Sequence, residues 1–269
     1  MDIQIVTATS VTKLGPEHRN QVLIAGSHGG VYAGYLAAKA GARAIMLNDA
    51  GGGLYGAGFA SLPYLDALAR PGATISHNSA RIGDGDDMAA RGVISHVNAT
   101  AAALGCAVGQ SARACGEAMK AAPASSGEAP VYEEARFQFS ADAEAPIIWG
   151  VDSASLLNSD DVGQILLTGS HGALMGGEIA SAIKYDALAC AFNDAGVGID
   201  EIGITRLPAL DGRNIAAVTV DCHSARIGDA RSMWQTGIIS HLNKTAADLG
   251  VKVGDSLQSF AETAQRKLG

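Results

Sequence analysis

Aromatic residues make up only 5% of this chain, and they do not interleave with its 19 lysines and arginines. Acidic residues number 27, the formal net charge is −8, and no basic run stands out, so the electrostatic footprint of a nucleic-acid binder is missing. The negative excess also means that an anionic ligand needs a local positive site. Cysteine is scarce. Cys106, Cys115, Cys190 and Cys222 show no metal-ligand spacing and read as reduced thiols of a cytoplasmic protein. Met1-Asp2-Ile3-Gln4 lacks the charged and apolar regions of a signal peptide, and no apolar stretch is long enough to span a bilayer. The expected partner is a small-molecule substrate, with no nucleic acid, no membrane, and a homo-oligomer left open.

What is present is a sequence written twice. Ser79-Ala80-Arg81-Ile82-Gly83-Asp84 recurs unchanged as Ser224-Ala225-Arg226-Ile227-Gly228-Asp229. Gly26-Ser27-His28-Gly29 recurs as Gly169-Ser170-His171-Gly172, and Asn48-Asp49-Ala50-Gly51 as Asn193-Asp194-Ala195-Gly196. Ser95-His96 and Asn98 return as Ser240-His241 and Asn243. The offset is 143 at the first motif and 145 at the others, so one two-residue insertion separates the copies. A repeat of this length is far longer than a solenoid unit and indicates duplication of a whole domain.

Each copy alternates strand and helix. Residues 21–25 form an apolar run entering a Gly-rich turn, 31–40 an Ala-rich helix stopping near Gly41, 44–47 a second strand, and 73–76 a third. The second copy is expected to repeat this, with strands at 164–168, 188–192 and 215–220. Beyond Gly92 and Gly237 the pattern predicts a helix with Ser95 or Ser240 as N-cap, then a terminal helix from Ser111 or Ser256. Residues 121–128 read as a linker, and 131–139 with 146–151 as a hairpin. The expected fold is α/β and internally duplicated: two β-α-β-α-β halves with parallel sheets related by a pseudo-twofold. The expected divisions are 1–122, 123–150 and 151–269.

In such folds, ligand chemistry collects at the carboxyl ends of the strands, where all three repeated motifs fall. Ser27 and Ser170 are candidate nucleophiles or helix caps, and His28 and His171 candidate proton carriers. Asp49 and Asp194 would tune those histidines, while Asn48 and Asn193 either bind substrate or close Asx turns. Arg81 and Arg226 offer planar forks for a carboxylate, or else pair with a loop aspartate such as Asp84 or Asp49. Amides at Gly29 and Gly172 would stabilise an oxyanion, and Ser79 and Ser224 would contact substrate. A divalent metal held by His28, Asp49, His171 and Asp194 suits the ligand types, but no ligand spacing supports it, and no cofactor is expected.

The copies differ just before the shared hexapeptide, where Ser76-His77-Asn78 faces Asp221-Cys222-His223. Cys222 would be a nucleophile beside His171 or His223 if its pKa is lowered, and His223 would be its catalytic partner. The architecture is similar in outline to the aspartate/glutamate racemase class, whose two halves carry paired cysteines. Here only Cys222 stands near such a place, with His77 opposite, so no residue role is transferred. The expected activity is hydrolysis or ring opening of a C–N bond in a small carboxylate- or imide-bearing substrate, at a site between the repeats. Isomerase or lyase chemistry through an enolate is the alternative, and non-catalytic anion binding or sensing a further one.

Overall fold

The apolar runs at 22–25 and 44–47 do not alternate with polar residues, as strands covered on both faces should not. In the computed structural model, which describes residues 2–124, 128–140 and 145–269, both runs are strands. The chain divides into two units, the first comprising Met1–Gly52, Gly56–Glu133 and the tripeptide Gly198–Asp200. Its elements are β1 (Ile5–Ala8), β2 (Val22–His28), α1 (Val31–Lys39), β3 (Ala44–Asn48), α2 (Ser61–Ala67), β4 (Gly72–Ile75), α3 (Gly85–Arg91), β5 (Ile94–Val97), α4 (Ala99–Ala102) and α5 (Ala112–Met119). The sheet order is β1-β2-β3-β4-β5; the first four strands are parallel and β5 runs antiparallel to β4.

Side chains alternate across this sheet. Val22, Ile24, Met46 and Ile75 pack on one face against Met88 of α3 and Cys115 and Met119 of α5. Leu23, Ala25, Ile45 and Leu47 pack on the other against Ala33 and Ala37 of α1 and Leu65 of α2. Each fully buried large aliphatic side chain contributes about 1.5–3 kcal/mol relative to exposure, so these two cores hold the strand ends in place.

The second unit comprises Gly53–Tyr55, Glu134–Val197 and Glu201–Gly269. It contains β6 (Arg136–Gln138), β7 (Ile148–Val151), β8 (Ile165–His171), β9 (Ala189–Asn193), α6 (Arg206–Asp211), β10 (Ala216–Val220), α7 (Ala230–Thr236), β11 (Ile239–Leu242), α8 (Lys244–Asp248) and α9 (Leu257–Leu268). The six strands lie in the order β11-β10-β9-β8-β7-β6, with β7 to β10 parallel and both edge strands antiparallel. Ile165, Leu167 and Val218 pack against Met233 of α7 and Phe260 of α9. Leu166, Phe192 and Ala217 pack against Leu207 and Leu210 of α6.

The fold is therefore mixed α/β with two mostly parallel sheets, and the structure corrects the expected elements in three places. First, β2 and β8 continue through Gly-Ser-His to His28 and His171, so that motif ends a strand and does not begin a helix. Secondly, the predicted Ser95 and Ser240 caps lie on antiparallel strands; the caps are Asn98 and Asn243, whose side chains accept from the N–H groups of Ala101 and Ala246. Thirdly, among the described residues the second unit has no counterpart of α1. Gly176 and Gly177, at φ 59° and 75°, break the segment into two short 3-10 turns. Buried Arg206 holds this segment by donating to the carbonyls of Ala173 (3.0 Å) and Ala182 (2.6 Å) while stacking on Phe192. The predicted hairpin is β6 and β7. Residues 125–127 of the predicted linker and 141–144 of the hairpin loop lie outside the described residues.

Candidate functional site

The repeated hexapeptide builds a turn. Ser79 Oγ donates to the Ser76 carbonyl (2.8 Å) and accepts the Val93 N–H (2.9 Å), and Ser224 does the same with Asp221 and Ile238 (2.8 and 3.0 Å). Ala80 and Ile82 are buried, Gly83 donates to Gly26, and Asp84 caps α3. Asn48, fully buried, accepts the Ala50 N–H (2.9 Å) and donates to the Ala80 carbonyl (3.3 Å). Asn193 repeats both bonds with Ala195 and Ala225 at 2.9 and 3.3 Å. These asparagines lock the end of the central strand to the hexapeptide, and their polar atoms are spent on the backbone.

The Gly-Ser-His motif is equally engaged. Ser27 Oγ accepts the Val11 N–H (3.0 Å), and Ser170 that of Ala154 (2.9 Å). The Gly29 and Gly172 amides expected to face an oxyanion donate to the carbonyls of Asn48 (2.7 Å) and Asn193 (2.8 Å). His28 Nδ1 accepts the Gly30 N–H at 3.1 Å, and His171 Nδ1 accepts that of Ala173 at 3.3 Å. Burial pushes the His28 pKa down to about 4, so this ring is neutral at physiological pH.

Asp49, directly after β3, is 5% exposed, and its partner is His77 rather than His28. Its Oδ1 accepts the His77 backbone N–H at 2.9 Å and lies 2.8 Å from His77 Nδ1. Burial alone would raise the pKa of this carboxyl, but the two bonds from His77 and a further one from Ser95 outweigh it and hold the pKa below its ordinary value. Asp49 therefore stays ionised and orients the imidazole through Nδ1, which leaves Nε2 as the nitrogen Asp49 does not engage. The His77 side chain is 20% exposed, so part of the ring is open to solvent. Ser95 Oγ continues the network to Thr74 Oγ1 (3.0 Å) and His96 Nδ1 (3.2 Å), and the His96 ring stacks on Phe59 at 4.1 Å.

In the second unit the corresponding place holds a thiol. Asp194 Oδ1 accepts the Cys222 N–H at 3.0 Å and the Gly196 N–H at 2.9 Å. Cys222 is buried, and burial together with the Asp194 and Asp221 carboxylates pushes its pKa up to about 12. The condition for its acting unaided as a nucleophile, a lowered pKa, is therefore not met. His223, the partner expected for it, is exposed, and its N–H donates to Asp221 Oδ1 at 2.8 Å.

The arginines are also committed. Arg81 Nε donates to Asp200 at 2.9 Å, and Arg91 reaches the same carboxylate oxygen at 2.9 Å. Arg226 pairs with Asp229, the loop partner that the hexapeptide itself supplies. Of the residues singled out by repetition, most hold backbone in place; Asp49 is a buried carboxylate whose partner is the His77 ring. His77 escapes a search for repeated residues because it is not repeated. Its signal is the mismatch of 76–78 with 221–223. Comparison with known proteins found no matching family model, no matching curated protein and no matching solved structure. No helix among the described residues is long and apolar enough to cross a membrane.

Proposed function

We propose that this chain is an acid–base enzyme of small-molecule metabolism, in the cytoplasm, with His77 as its general base and Asp49 as the group that orients it. The carrying observation is the 2.8 Å contact between His77 Nδ1 and the buried, ionised Asp49. A neutral imidazole held this way takes a proton at Nε2, and the imidazolium formed is stabilised by the carboxylate. With the Cys222 thiol protonated and the Ser27 and Ser170 hydroxyls bonded to backbone, attack by an activated side chain is disfavoured. Water activated by His77 is the better fit, which supports hydrolysis or ring opening of a C–N bond in a small amide or imide. The closed covalent route equally favours a second reading, removal of a proton from carbon to give an enolate, as in an isomerase or lyase. Pure anion binding is less well supported, because Arg81 and Arg226 are already neutralised by Asp200 and Asp229. We further read the two units as copies of one ancestral unit, since the strand order and the turn bonds recur between them.

The test is to incubate the protein with a panel of small imides, amides and hydroxy or keto acids in D2O and follow it by NMR. Ring opening without deuterium at carbon supports the hydrolase; deuterium exchange at a carbon beside a carbonyl supports the enolate route. Turnover that is unchanged in both His77→Gln and Asp49→Asn overturns the dyad.

A further inference from the structure

The three positions where the second unit departs from Ser76-His77-Asn78 all introduce metal-ligating side chains. Asp221, Cys222 and His223 each place one ligand atom within 4.8 Å of the others. The turn that carries them is rigid. Ser224 and Ala225 donate to the Asp221 carbonyl at 2.9 and 3.3 Å, and Asp194 holds the Cys222 amide. From the other side, the Leu54 N–H donates to the Cys222 carbonyl at 2.8 Å. The first unit builds the same turn with the same backbone bonds: Ser79 and Ala80 donate to the Ser76 carbonyl at 2.9 and 3.2 Å, and Asp49 holds the His77 amide. There, Ser76 and Asn78 supply no strong ligand beside His77. The turn therefore does not require Asp, Cys and His in order to fold.

We infer that Asp221, Cys222 and His223 form a site for a borderline-soft divalent cation of the zinc class. A thiolate, an imidazole and a carboxylate are the ligand types such an ion takes, and three protein donors leave a fourth position of a tetrahedron open to water or ligand. Asp221 Oδ1 already accepts the His223 N–H, so Oδ2 is the oxygen available to the ion. The buried carboxylate of Asp194 accepts the Cys222 backbone N–H and so orients the turn that carries the three donors. Binding exchanges the thiol proton for the cation, and the proton leaves to solvent, so affinity rises with pH. This site stands independently of the His77–Asp49 reading and is testable without a substrate.

The full-length protein, stripped of metal with a chelator, is titrated with Co2+ and the thiolate-to-cobalt charge-transfer absorption is followed; Zn2+ is then added in competition. The expected result is one Co2+ per chain with a thiolate band, displaced by Zn2+. Cys222→Ser should abolish the band, and His223→Ala, at an exposed position with little role in folding, should weaken binding about tenfold or more. No thiolate band in the wild type, or a band that survives Cys222→Ser, overturns the site. If Cys222→Ser does not fold, undiminished affinity in His223→Ala and Asp221→Asn overturns it just as well.

Discussion

A single carboxylate oxygen of Asp49 takes both the backbone N–H and the ring Nδ1 of His77, at 2.9 and 2.8 Å. This double contact fixes where the ring is and which of its nitrogens Asp49 engages. His77→Gln removes the base, and turnover of whatever substrate the panel identifies should fall by about 10²–10⁴-fold. Asp49→Asn keeps the shape but loses the charge that stabilises the imidazolium. It should depress kcat more than KM, as a steady-state comparison of the two variants with the wild type will show.

Asn48 and Arg81 are expected to separate scaffold from surface. Asn48→Ala leaves the buried Ala50 N–H without its acceptor and should cost about 1–3 kcal/mol in urea unfolding. Arg81→Ala breaks a solvent-exposed ion pair with Asp200 and should leave the urea unfolding midpoint nearly unchanged. If Arg81→Ala instead abolishes turnover while leaving stability intact, the guanidinium grips substrate after all and the Asp200 pair is a resting contact.

The mixed α/β fold with mostly parallel sheets was largely legible in the sequence, because buried parallel strands are written as short apolar runs and the recurring motifs flag these runs in both units. The site was legible only in part. Repetition draws the eye to Ser79, Asn48 and Ser27, whose side chains bond backbone and are required in both units for the same folding reason. Chemistry does not have to repeat, so His77 and Cys222 differ at one place in the turn. The pairing of Asp49 with His77 rather than His28 depends on β4 lying beside β3, a register that no local pattern in the sequence encodes. Likewise, Ser95 reads as a cap until β5 is seen to pair antiparallel with β4.

Glu134 should give the second unit a pH-dependent stability. Burial, with the nearby Asp152 carboxylate, pushes its pKa up to about 7. The folded state then holds a proton that the unfolded state releases above its ordinary value of 4.5, so stability falls as pH rises from there through about 7. Glu134→Gln removes this loss. Its unfolding free energy should match the wild type in acid and exceed it at alkaline pH by about 1–3 kcal/mol. Urea titrations of both proteins across that range will show whether the curves diverge.

Gly58 sets the position of the dyad from behind. A Cβ added there would lie 1.8 Å from the Asp49 carbonyl oxygen and 3.2 Å from that of Gly52. Both are backbone atoms in a loop tied by the Gly52 N–H to the Asp49 carbonyl (2.7 Å) and by the Gly58 N–H to the Gly52 carbonyl (2.9 Å), so neither can swing aside as a side chain would. Gly58→Ala should therefore displace Asp49, lengthen its contact with His77, and destabilise the first unit by about 1–3 kcal/mol or more. Gly105→Ala is the matched control: at φ +89° it strains the backbone, but no atom lies within 4 Å of its added Cβ. Both variants should unfold at lower urea, but only Gly58→Ala should lose turnover in the residual folded protein. Equal activity per folded molecule in the two would mean that the close approach of Gly58 to Asp49 serves packing alone.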